Sequence, residues 1–74
     1  MITGPQIRAA RAFLNWKQSR LADQTGLPPQ AISASERGIV PPATDLHLLQ
    51  RALERAGIVF IDDVGVGIAG AAGR

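Results

Sequence analysis

The chain has no cysteine and a single histidine, and none of its apolar runs is long. Without thiols no disulfide can staple the fold and no thiolate can hold a metal, so stability has to come from packing or self-association. His47 sits one residue from an apolar helical stripe and is read as structural rather than as a ligand or a catalytic base. No apolar stretch approaches the ~20 residues that a bilayer span needs. The N-terminus has no basic region followed by an apolar run. These absences give the expectation of a soluble, cytoplasmic protein with no membrane partner. Neither a metal, a cofactor nor a catalytic residue is expected, and the chain is not read as an enzyme. Asp62-Asp63 is ordinary turn chemistry. Gly65-x-Gly67 lacks the following helix and the lysine of a phosphate loop.

What is present is one small domain with an uneven charge distribution. A chain of 74 residues buries only about 60% of its unfolded surface and cannot divide that between two cores. The net charge is +2. Up to Gly38, the cations Arg8, Arg11, Lys17, Arg20 and Arg37 outnumber Asp23 and Glu36, giving +3; beyond it the balance is −1. A basic first half suits a polyanionic partner.

Along the chain, Thr3 and Gln6 have the spacing of a capping box, and Pro5 suits a first helical turn because that turn needs no N–H from it. Ile7, Ala10 and Leu14, with Phe13 beside them, make one face of a helix from about Gly4 to Leu14, ended by Asn15. Trp16 anchors the following loop. Gln18–Thr25, with Leu21 and Ala22 inward, is a short second helix stopped by Gly26. Pro28-Pro29 opens a third, Gln30 to Arg37, with Ile32 inward and Gly38 as its stop. Ile39–Ala43 is a proline-rich connector. Thr44 is expected to cap a fourth helix with the stripe Leu46, Leu49, Leu53 and Ala56, closed by Gly57.

At Ile58 the composition changes. Ile58-Val59-Phe60-Ile61 and Val64–Ile68, joined by Asp62-Asp63, read as a β-hairpin. The sequence therefore divides into a helical domain (1–57), a hairpin (58–68) and a flexible tail (69–74). An apolar strand with no polar side needs a partner. Residues Ile58, Val59, Phe60 and Ile61 are accordingly expected to form a homodimer interface.

The stretch Gln18 to Gly38 resembles the Cro/C1-type (XRE-family) helix-turn-helix of transcriptional regulators, and the resemblance extends over about Ile7 to Gly57. It is carried by Gln18 opening the second helix, Leu21-Ala22 packing it, Gly26-Leu27 in the turn, Ile32 inside the third helix and Glu36-Arg37-Gly38 ending it. It implies a mainly α, compact four-helix phage-repressor-like fold with a short C-terminal strand or hairpin. It also implies repressor- or Cro-like binding of double-stranded operator DNA, palindromic for a dimer, with a recognition helix at about 29–37 in the major groove. Base contacts would come from Pro29, Gln30, Ser33 and Ala34, and Gln30 is suited to pair bidentately with adenine. Phosphate contacts would fall to Lys17, Gln18, Arg20, Arg37 and the backbone N–H of Gly38. Arg11 and Glu36 match a family pair that forms a partly buried salt bridge.

Several positions depart from the pattern. Lys17 and Pro28 stand where capping residues are usual, at a cost of about 1 kcal/mol each. Ser35 replaces a large apolar residue, so the packing under the third helix is expected to be looser or to be filled by Trp16 or Phe13. Pro29, Gln30, Ser33 and Ala34 include no arginine or lysine to pair with guanine. A second use of the same scaffold is a protein-interaction module of antiactivator or antitoxin type, with weak or no DNA binding.

Overall fold

Thr3 and Gln6 start the first helix, α1 (Gly4–Leu14), in the computed structural model, which describes residues 1–68. The Thr3 hydroxyl accepts from the Gln6 amide, and the Gln6 side chain accepts from the Thr3 amide at 2.9 Å. At the other end Asn15 adopts φ 56°. Its N–H reaches Ala12 O and that of Trp16 reaches Arg11 O, so the carbonyls left over at the helix terminus are satisfied in a Schellman arrangement. α2 (Gln18–Thr25) ends at left-handed Gly26, and α3 (Pro29–Glu36) closes through Arg37 and Gly38. The proline at the first position of α3 needs no donor there, so this helix begins one residue before the expected Gln30 and Arg37 becomes its cap.

The fourth helix, α4 (Ala43–Arg55), does not start at Thr44. Pro42 is its N-cap, with its carbonyl accepting from Leu46, and Thr44 is exposed within the first turn. A proline at the cap loses nothing by lacking an N–H, and Ala43 is a strong helix former, so the helix begins two residues earlier than a Thr44 cap implies. As with α2 and α3, no side chain caps this N-terminus.

One core joins all four helices to the hairpin. Ile7, Ala10, Leu21, Ile32, Leu49 and Leu53 are fully enclosed, with Leu14, Trp16 and Leu27 packed against them. Phe13 stays outside, because its position on α1 turns away from this cluster. The space by Ser35 is not filled by an aromatic side chain. Ser35 is itself buried, donates to Ala31 O at 2.8 Å, and presents its carbonyl to Gly4 at the start of α1. A methyl group on Gly4 would collide with that oxygen, so the helices approach more closely than any larger residue allows.

After Gly57, strand β1 (Ile58–Ile61) pairs antiparallel with β2 (Gly65–Ile68), with Ile58 opposite Ile68 and Ile61 opposite Gly65. Ile58 is 2% exposed and belongs to the core, so its side chain is not part of a surface through which a second copy could bind. Phe60 is half-buried against the same core. The fully enclosed Gln6 amide donates to Asp62 O at 3.1 Å and Gly65 O at 2.9 Å, pinning the hairpin turn to the start of α1. The expected tail, 69–74, lies outside the described residues.

Candidate nucleic-acid interface

A recognition helix has to be short, polar outward and held firmly from behind. Ile32 and Ser35 anchor the inner side of α3, while Pro29, Gln30 and Arg37 are exposed and Ser33 and Ala34 are half-exposed. Pro29, Ser33 and Arg37 are four residues apart and lie on one stripe; Gln30 and Ala34 form the adjacent stripe. The Gln30 amide makes no hydrogen bond to the described residues, which leaves both its donor and its acceptor open.

What holds α3 is a network centred on Glu36, whose side chain is only 3% exposed. Arg11 grips both carboxylate oxygens, Nε to Oε2 at 2.6 Å and Nη2 to Oε1 at 2.8 Å, and its Nη1 donates to Trp16 O at 2.8 Å. Burial alone would push the Glu36 carboxyl up. The hydrogen bonds from Arg11 and Gln18, with the charges of Arg11 and Arg8, outweigh it and hold the carboxyl below its ordinary range. The same hydrogen bond to Glu36 raises Arg11, against the opposing effect of burial. This is the one ion pair among the described residues. It links α1, the loop before α2 and the end of α3.

Two expected phosphate contacts are engaged inside the protein. The Gln18 Nε2 donates to Glu36 Oε1 at 3.1 Å, because the buried carboxylate has an acceptor site left after Arg11 and Gln18 opens α2 beside it. The Gly38 N–H donates to Ser35 O at 3.1 Å while Ile39 N–H reaches Ala34 O, the two bonds of a Schellman end, so that amide is not an open donor. Lys17 is exposed at the N-cap of α2. Arg20 lies over the Trp16 ring, 5.0 Å from its centroid, in a cation–π contact that orders its side chain. Arg37 donates from Nη1 to Ser33 Oγ at 2.7 Å. Sequence reasoning assigned the Arg20 and Arg37 charges but neither of these contacts, although the four-residue spacing of Ser33 and Arg37 permits the second.

A family model described as helix-turn-helix matches residues 7–57, which contain this whole arrangement. The chain belongs to the Cro/C1-type helix-turn-helix family. It is thus a DNA-binding helix-turn-helix regulator in general terms. No curated protein matches it. Among the described residues of this helix-turn-helix protein, no helix is long and apolar enough to cross a membrane, and no group of three or more His, Cys, Asp or Glu is placed to hold a metal. The hairpin carries the other notable surface. Val59 and Ile61 are exposed on one side of β1, opposite Gly67 and Gly65, and Val64 at the turn is 83% exposed.

Proposed function

We propose that the chain is a sequence-specific transcriptional regulator of repressor or Cro type that lays α3 in the major groove of operator DNA. The observation that carries this reading is the open Gln30 side chain on the first turn of an α3 fixed from behind by the Arg11–Glu36 pair. Gln30 has the donor and acceptor that adenine N7 and N6 require. Lys17 and Arg20, at the start of α2, supply phosphate contacts that position the domain. A homodimer joined through Val59 and Ile61 places two such helices on a palindrome, with half-sites about 34–36 Å apart. Glycines opposite both side chains leave them unscreened by the neighbouring strand, which supports this use of the surface.

Fluorescence anisotropy with duplexes from upstream of its own gene tests the reading. Affinity falls steeply with salt, by about 0.9 in log–log slope for each phosphate contacted. Gln30→Ala flattens sequence preference by about 1–3 kcal/mol at one base pair. Lys17→Ala weakens all duplexes alike and reduces the slope by about 1. Val59→Asp converts a dimer to a monomer in sedimentation equilibrium.

A second reading, a protein-interaction module, is favoured by one observation: α3 carries no charged side chain before Glu36 and Arg37. Absence of duplex binding even at low salt would establish this alternative in place of the first.

A further inference from the structure

We propose that Arg37 reads a base, held by Ser33 over the second turn of α3 so that its guanidinium selects a guanine in the bound duplex. The inference rests on α3 being the recognition helix, and it supplies the guanine-pairing group that the first two turns of α3 lack.

Helical side chains lean toward the N-terminus of their helix. An arginine at the C-cap of α3 therefore extends back over the preceding turn, toward the end that enters the groove. The structure shows this: Arg37 Nη1 donates to Ser33 Oγ, four residues earlier, at 2.7 Å. The exposed guanidinium is drawn onto the stripe of Pro29 and Ser33, beside the small Ala34 and one position from the Gln30 stripe. Ala34 has no side chain long enough to compete for the same base edge.

The partner that holds Arg37 matters as much as the place where it is held. Ser33 is a neutral hydroxyl, and no carboxylate among the described residues forms an ion pair with Arg37. Among the described residues its charge stays uncompensated, and only one of its five guanidinium donors is used. The remaining donors form a planar fork that matches the O6 and N7 acceptors of guanine. Fixing one nitrogen also reduces the rotamer freedom that a long side chain loses on binding. Arg11, which reaches α3 from α1, is unavailable because its Nε and Nη2 are both held by the Glu36 carboxylate.

The test is selection of bound sites by the full chain from randomised duplexes, compared with Arg37→Lys, Arg37→Ala and Ser33→Ala. The full chain is expected to enrich a site with guanine at one position besides the adenine assigned to Gln30. Arg37→Ala removes the fork, so discrimination for that guanine falls by about 5- to 150-fold while the adenine preference persists; Arg37→Lys, whose single ammonium reaches the same acceptors, keeps part of it. Ser33→Ala lowers the same preference by less. If Arg37→Ala weakens every duplex alike and makes the salt slope shallower by about 1, Arg37 contacts phosphate and the proposal is overturned alone. Retention of the guanine preference in Arg37→Ala also overturns it alone. If the full chain enriches no sequence, the assignment of α3 as the recognition helix falls with it.

Discussion

Removing the Glu36 carboxylate is the most severe single perturbation that the structure identifies. In Glu36→Ala the guanidinium of Arg11, whose side chain is 18% exposed, keeps only the Trp16 carbonyl among the described residues. Breaking one side of a fully buried pair costs about 3–5 kcal/mol, chiefly because the remaining charge is stranded. Water reaches Arg11 in part, which places the loss near the lower end, at about 3 kcal/mol. A domain of this size has on the order of 4–11 kcal/mol in total, so the variant loses a large share of its stability. Urea unfolding followed by circular dichroism should show it, with a thermal midpoint lowered by roughly 12–24 °C, since 1 kcal/mol moves a small domain by about 4–8 °C. Arg11→Met combined with Glu36→Met removes both charges and should be more stable than the sum of the single variants implies. A Glu36→Ala loss under about 1 kcal/mol, as for an exposed ion pair, would refute the reasoning. So would strict additivity in the cycle.

The remaining predictions concern acid stability, the hairpin and the α1–α3 contact. Because the folded Glu36 carboxyl titrates below its ordinary range, the unfolded chain binds the proton more readily. Its stabilisation is complete above the unfolded value of about 4.3 and is lost as pH falls through the folded value. Glu36→Gln should therefore flatten the pH dependence of the urea midpoint below about pH 4.3 relative to the unsubstituted chain. Gln6→Leu leaves the carbonyls of Asp62 and Gly65 without their donor. The expected cost is about 1–3 kcal/mol, with hydrogen exchange accelerated in the hairpin before α2 and α3. Gly4→Ala forces a methyl group against the Ser35 carbonyl and should cost about 1–3 kcal/mol in urea unfolding, as overpacking does.

Local signals made most of the fold legible. The capping box at Thr3 and Gln6, and the left-handed residues Asn15, Gly26, Gly38 and Gly57, marked helix ends because the physics of a terminus is settled within a few residues. At the start of α4 the sequence favours a hydroxyl cap at Thr44, but a cap position tolerates proline and Pro42 occupies it. The helical spacing puts Phe13 beside the apolar face of α1, and its angular position there sets it outside the core. Long-range choices left no trace in the local pattern. Gln6 serves its own helix and also a turn 56 to 59 residues away. At the interface, residue types located α3 and its outward stripes. They did not reveal that Gln18 would turn to Glu36 instead of outward, because that depends on how many acceptor sites Arg11 leaves on the carboxylate.

The Gln6 bonds to the hairpin turn also bear on how two copies would meet DNA. With its turn fastened to the head of α1 and Ile58 sunk in the core, the hairpin is a rigid bracket rather than a hinged arm. In a dimer joined at that bracket, the spacing and relative tilt of the two α3 helices become fixed dimensions of the protein. An extra base pair between half-sites shifts one by 3.4 Å along the duplex axis and about 35° around it. With no compliant joint to absorb the change, the duplex itself would have to twist, and the regulator would measure operator length as strictly as it reads letters.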